Sequence, residues 1–544
     1  MRRDVLAASV AAVLALMCVL VAHRPDAPRP VPSEPVTGCV SCHASDHPPD
    51  PVHTDIACQA CHLGDPSASV VPLAHDGLER EPGALDTAGA TCGACHPTHL
   101  ARVQTSLMTT AAGLVSVDRW AFGELDVPHG HVPITQLLAD PEPSQADDHI
   151  RRLCAGCHLG TRKDNRDDAI HGTGSGCGAC HVDTRGDGHP AIEPLPSDHQ
   201  CEGCHSRSGR ISLSYQGLYE ASPDVVETCG DTETLVDGRT VCRQEPDLHH
   251  TAGLSCIDCH LHTDLMGDGH THAHKEEQVE VTCEACHGPV EDTRWDAISD
   301  DPTHRILRLR GETRAPDEAV RTGKRGTPLW NLRPTTTGTW TLFPKRGGEP
   351  VAVPQLDSDH VDAAHARLTC DACHAPTVPT CVNCHTDYDP SGAQWDFGSG
   401  AVAAGQWRET PTQMSMAAPE LGWTADHRVV AAVTGMDLTL HLPDGTTRTL
   451  DALAPASPHT TSRFSRTCVS CHTPDAQSPR THPRVGTRPD FGPLPEDVVI
   501  RMARAARCLV CHDEDSPVYD NFDEAYKVAL STDHPSTLSS EEAP

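Results

Sequence analysis

The longest unbroken apolar run in this chain lies at its start. Val5 to Ala22 carries no charge; Arg2 and Arg3 precede it, and His23, Arg24 and a stretch with Pro25, Pro28, Pro30, Pro32 and Pro35 follow. A positive segment before an apolar one directs the following chain across a membrane. The run is long for the core of a signal peptide and just sufficient for a spanning helix. Leu20 spoils an Ala-x-Ala site before Ala22, and Met17 before Cys18 makes a poor lipoprotein site. An uncleaved anchor and a cleaved signal peptide both remain open, and either exports the bulk of the chain.

Elsewhere the pattern predicts short elements. His99 to Gly113 reads as a helix. Gly338 to Val353 reads as two strands turning at Gly347-Gly348, and Asp437 to Leu450 as two more around Pro443-Asp444-Gly445. In the latter, Leu438, Leu440 and Leu442 share one face and His441 points to the other, solvated side. Asp237-Gly238 is a strong hairpin turn within Glu233 to Val241.

Composition shows why long elements are scarce. The 544 residues include only 7 Trp, 5 Tyr and 6 Phe, against 27 Cys and 37 His. Side chains alone make a poor core at this length. The net charge of −34 argues against nucleic-acid binding, which needs a basic face.

Twenty-four of the cysteines fall into twelve C-x-x-C-H units. These are Cys39–Cys42–His43, Cys58–Cys61–His62, Cys92–Cys95–His96, Cys154–Cys157–His158, Cys177–Cys180–His181 and Cys201–Cys204–His205 in the first half. They continue with Cys256–Cys259–His260, Cys283–Cys286–His287, Cys370–Cys373–His374, Cys381–Cys384–His385, Cys468–Cys471–His472 and Cys508–Cys511–His512. The pattern reads as c-type haem attachment: two thiols form thioethers to one porphyrin, and the adjacent His lies under the iron. A zinc ribbon pairs two C-x-x-C units per metal without needing the His, and a thioredoxin-like pair needs a βαβ context absent here. Twelve occurrences behind an export signal leave haem c, about twelve per chain, as the expected cofactor.

The motifs with this signal resemble the large multihaem c-type cytochromes of bacterial envelopes, from Cys39 to His512. Cys204–Tyr219, His249–Gly269 and Ser457–His472 also look like that group. The resemblance implies a multihaem cytochrome c fold: little regular secondary structure, short helices around stacked haems and small β-hairpin insertions. It implies electron transfer on the periplasmic side of the inner membrane or in the exported envelope. Haem then supplies the missing apolar interior, at roughly 25 cal/mol per Å² buried.

Beyond the motifs and His23, 24 histidines remain for distal positions, enough for mostly bis-His ligation. His53, His149, His171, His250 and His365 lie five or six residues before the next motif, which suggests ligation of a neighbouring haem. Weaker candidates are His189, His199, His274, His360, His459, His482 and His534. Met108 is a possible axial thioether, although a Met on a helix is more often core.

Motif spacing divides the chain into a signal or anchor and linker (1–38), a six-haem region (39–205) and a disulfide hairpin with two haems (206–287). A motif-free β-rich insertion (288–369), a two-haem segment (370–385), a second insertion (386–467) and a two-haem region with an acidic tail (468–544) follow. Cys229 and Cys242 flank the hairpin turn and should be disulfide-bonded in an oxidising compartment. A basic run from Arg305 to Arg325 is either a solvated face, a set of propionate partners or a dock for an acidic redox protein. Arg207 and Arg210, just after His205, are better placed for propionates. The Gly186–His189 and Gly267–His270 repeats read as plain turns more than as metal sites.

Two functions fit. One is a conduit passing electrons from a quinol-oxidising membrane complex or redox protein partner to a distant acceptor. The other is an oxidoreductase with one open-site haem acting on a small nitrogen or sulfur compound. Absence of a C-x-x-C-K variant and the surplus of histidines favour the conduit.

Overall fold

The computed structural model describes residues 39, 42–43, 53, 55–162, 175–183, 189–288, 295–313, 316–335, 339–356, 360, 365–472 and 484–509, with side chains to residue 506 except 295, 383 and 469. Structural statements below concern these residues. The N-terminal run, His171, His482, His534 and the end of the twelfth motif lie outside them.

Helices are short because caps and left-handed residues interrupt them. The run from His99 to Gly113 is not one helix: it divides among helices Pro97–Thr105, Leu107–Thr110 and Ala112–Phe122. Ser106 leaves the helical region and its hydroxyl accepts from the Met108 amide at 3.3 Å, while Ala111 turns left-handed at φ 48°. Local side-chain capping here outcompetes helical periodicity. After helix Gln145–His149 the backbone widens to a π-turn over Ile150–Cys154 and tightens to 3₁₀ over Ala155–Cys157, so the fourth motif sits on irregular helix.

Strands lie in small sheets. Trp340–Leu342 pairs antiparallel with Val351–Val353 and with Leu332–Pro334, and Gly347 and Gly348 take the positive φ that the turn requires. Thr232–Thr234 and Thr240–Arg243 form the expected hairpin, with Gly238 at φ 84°, and a disulfide joins Cys229 to Cys242. The largest sheet has five strands, in the order Ala401–Ala417, Val378–Asp396, Asp437–His441, Thr447–Leu453 and Val485–Gly486. Its long hairpin begins at Val378, so the second insertion starts before residue 386 and takes in the tenth motif.

Five separate clusters replace a single core. In the largest, Leu254, Leu261, Val320, Leu329, Leu332, Trp340, Leu342 and Val353 pack together, against Ala285 and Cys286 of the eighth motif. Trp120, Phe122, Ala146, Trp407 and Leu440 form another, and Arg151 and Asp396 make a buried bidentate pair at 2.8 and 2.7 Å that ties the π-turn to the long hairpin. Among the described residues no helix is long and apolar enough to cross a membrane.

Candidate functional site

In a helical turn, residues i, i+3 and i+4 share a face. The short helices Cys58–His62, Cys177–His181, Asp198–His205, Cys283–His287 and Cys370–His374 therefore turn both thiols and the imidazole of each motif the same way. Motif segments also pack on one another. The thiols of Cys92 and Cys177, of Cys201 and Cys256, and of Cys283 and Cys370 are hydrogen-bonded pairs, and the Cys204 thiol donates to the Cys157 carbonyl at 3.5 Å.

The cysteines of ten motifs, all but the tenth and twelfth, line one continuous cavity of about 6060 Å³. A single small-molecule site takes roughly 300–1,000 Å³, so this volume holds on the order of ten such ligands. Ten motif histidines line it together with nine others: His53, His75, His99, His189, His249, His262, His360, His365 and His459.

Eight of those nine face a motif histidine: His99 lies 5.6 Å from His96, three residues before it, and seven come from farther along the chain. His75 faces His43 at 6.0 Å between ring centres, His189 faces His62 at 5.8 Å and His53 faces His96 at 6.3 Å. His459 faces His260 at 6.3 Å, His249 faces His287 at 6.1 Å, His360 faces His374 at 5.8 Å and His365 faces His472 at 6.2 Å. An imidazole nitrogen binds a metal ion at about 2 Å and lies about 1.1 Å from its ring centre, so two imidazoles sharing one ion have centres about 6.3 Å apart. The spacing suits a shared iron and is too wide for direct stacking.

Hydrogen bonds set which nitrogen is available. Nδ1 of His62, His181, His287 and His472 bonds to the carbonyls of Glu79, Glu193, Pro354 and Met502 at 2.8, 2.8, 2.8 and 3.1 Å. Nδ1 of His189 and of His459 meets the Pro190 and Ser457 carbonyls at 2.9 Å each, and those of His249 and His260 meet Asp247 and Asp264 at 2.9 and 3.2 Å. A carbonyl or carboxylate on Nδ1 holds the proton there and leaves Nε2 as the ligating lone pair. Burial also holds His181, His205, His262, His287 and His472 below the ordinary imidazole value and lowers His459 to about 4, so these rings are neutral. The neutral form is the one that binds metal.

Charge on the wall runs opposite to the whole chain. Fourteen arginines and lysines face the cavity against nine carboxylates. Burial lowers the pKa of Arg310 and Lys345, two cations on this wall. A ligand that is apolar in body and carries carboxylates suits that wall, and haem has both features. The residues present fit the group.

The tenth motif differs. Cys381 and His385 lie on a regular strand paired to Ala401–Ala417 on one side and to Asp437–His441 on the other. Alternation puts Cys381 and His385 on one face and Cys384 on the opposite face. The attachment geometry is not formed in this strand. Its histidine nevertheless meets His441, coplanar within 4° at 6.1 Å, so His441 is half-exposed and engaged rather than merely solvated.

Several sequence candidates stand elsewhere. His149 is buried; its Nδ1 lies 3.0 Å from Asp118 and its Nε2 3.6 Å from Glu409. Burial opposes its charge, but the two carboxylates outweigh burial and raise its pKa to about 10. With no iron beside it this ring is an ion-pair residue, and its Nε2 is buried without a hydrogen-bond partner. His250 packs edge-on against Tyr215 at 5.2 Å, and its neighbour His249 takes the position facing His287. His274 lies against His129 with ring nitrogens 3.4 Å apart, and exposed His199 sits 3.9 Å from Glu202. Met108 lines the cavity, and its carbonyl accepts from the Leu159 amide beside the fourth motif.

Arg207 and Arg210 line the cavity while already paired with Asp237 at 2.9 Å and Glu220 at 3.1 Å. Gly267–His270 is a turn whose Asp268 carboxylate accepts from the His270 amide, faces His272 and pairs with Arg325. Among the described residues no cluster could hold a bare metal ion.

Sequence reasoning missed His75, His99, His249, His262 and His441. For His249 a signal existed: Asp247, two residues earlier, caps the helix and orients the ring. His99 and His262 are also near neighbours in sequence of His96 and His260, whereas His75 and His441 are brought to the motifs by tertiary contacts. No protein-family description, curated protein or solved structure matches this chain.

Proposed function

We propose that this chain is an exported electron-transfer protein of the multihaem cytochrome c type, relaying electrons between a membrane or periplasmic redox donor and a distant acceptor. When bound, haem c supplies a one-electron ferric/ferrous couple. The chain's own residues do the rest. Helical cysteine pairs tether each group, and motif and facing histidines present Nε2 from both sides. Nδ1 hydrogen bonds keep those rings from rotating, and wall arginines and lysines balance carboxylates in an otherwise acidic molecule.

The observation that carries the reading is the set of seven imidazole pairs 5.8–6.3 Å apart, each joining a motif histidine to one at least 14 residues away. At those seven pairs, ligation from both sides would leave no place for substrate, which favours relay over substrate chemistry. The test is carbon monoxide binding to the reduced, exported protein together with electron paramagnetic resonance of the oxidised form. Relay predicts low-spin signals and binding at few or none of the irons. Ready binding with a matching high-spin signal would instead establish the oxidoreductase, and a protein without covalent haem would end both readings.

A further inference from the structure

The sequence places its one basic run at Arg305 to Arg325; Arg305, Arg308 and Arg310 stay exposed, while the fold engages its C-terminal part. Arg321 pairs with Asp301 at 3.0 Å and Arg325 with Asp268 at 2.8 Å, and Lys324 donates to the Val279 carbonyl at 2.6 Å. A second group of positive charges gathers where the cavity reaches the eleventh motif. Arg367, Arg428, Arg463, Arg501 and Arg504 all line it there, from separate parts of the chain. The Val429 amide bonds to the Arg367 carbonyl at 2.8 Å, which sets Arg428 beside Arg367. His365, two residues from Arg367, faces His472. The Met502 carbonyl holds His472 at 3.1 Å between Arg501 and Arg504, and the Ser462 carbonyl holds His374 at 3.3 Å next to Arg463.

Asp497 engages Arg501 at 3.1 Å, and among the described residues no carboxylate pairs with Arg367, Arg428, Arg463 or Arg504. Arg367, Arg428, Arg463 and Arg504 are exposed. Phe464, one of only 6 phenylalanines in the chain, stands 79% exposed beside Arg463. Arginine and exposed aromatic side chains are the usual anchors of protein interfaces.

We propose that this arginine rim is the docking surface for a redox protein with an acidic face, and hence the end of the chain where electrons pass to or from a partner. The proposal rests on the electron-transfer reading. Charge complementarity carries it: a molecule with net charge −34 repels an acidic partner over most of its surface, and a positive rim at one end orients the approach. Rim charges of this kind act on association rate and salt dependence.

The test uses the full haem-loaded chain with cytochrome b5 as an acidic probe and mitochondrial cytochrome c as a basic one. Binding is measured by calorimetric titration at low and high salt, and electron transfer by stopped flow. The expected result is that R428E/R463E/R504E, at unchanged haem content, weakens binding of the acidic probe by about tenfold or more and flattens its salt dependence. R428Q/R463Q/R504Q, which is less disruptive, should fall between that variant and the natural chain. Unchanged affinity for the acidic probe overturns the proposal. So does a change confined to the haem potentials, which would make the arginines partners of the propionates, or a change in the mass of the chain in solution, which would make the rim a contact between copies. A chain exported without covalent haem would instead defeat the electron-transfer reading itself, and haem content measured beforehand keeps the two failures apart.

Discussion

Replacing His149 with glutamine separates a ligand from an ion-pair residue. The ring lies between Phe122 and Trp407, each at 5.2 Å, with Asp118 on Nδ1 and Glu409 beyond Nε2. Its pKa rises from 6.5 to about 10. The proton is therefore held in the folded state, and the stability it contributes is full below about pH 6.5. That contribution falls as pH rises and is gone above about pH 10. The rise corresponds to on the order of 5 kcal/mol at 1.36 kcal/mol per pH unit. Glu409 is half-exposed on the cavity wall, so its share is screened and about 3 kcal/mol is the better expectation. Breaking a buried pair costs a similar roughly 3–5 kcal/mol.

In a chain of 544 residues, at about 2.1 cal/mol/K of unfolding entropy per residue, that loss lowers the melting temperature by roughly 2–3 °C. The assay is thermal unfolding of the haem-loaded natural chain and H149Q near pH 6 and above pH 10. The difference between them should be large at the lower pH and nearly vanish at the higher, with no new high-spin signal in the resonance spectrum. A new high-spin signal in H149Q, or equal stabilities near pH 6, would refute the argument and return His149 to the ligand set.

The neighbours His249 and His250 make a local control. H249A should expose the iron at His287 and create a high-spin signal with carbon monoxide binding at one site, while H250A should leave the spectrum unchanged; the reverse would mean that the pairing with His287 is misassigned. The tenth motif, with Cys384 turned away from Cys381 and His385, should be the least completely loaded. Peptide mapping after intact-mass measurement checks this, and a fully loaded tenth motif beside an emptier one on a helix would count against the strand geometry.

Which residues would tether haem is written in the local sequence, because two thioethers and one axial bond to the same group demand thiols at i and i+3 and an imidazole at i+4. The hairpin around Asp237-Gly238, with Cys229 and Cys242 at its sides, is equally local: a turn brings near neighbours together whatever surrounds it. The facing histidines are a different matter. His459 reaches His260 and His189 reaches His62 across long separations, and nothing near either residue specifies the match. The rule of a histidine just before the next motif puts His53 and His365 opposite His96 and His472. At His149 carboxylates from helix Ala112–Phe122 and strand Ala401–Ala417 flank the ring, and at His250 it is the adjacent ring, oriented by Asp247, that faces a motif histidine. The tenth motif has the same letters as its helical counterparts, yet ladders on both sides hold it as a strand. The positive rim is likewise assembled from distant arginines, while in the contiguous basic run Arg321 and Arg325 are paired with carboxylates. Covalent attachment depends on neighbours in sequence, whereas axial ligation, protonation and surface charge depend on neighbours in space, and those are chosen only when the chain folds.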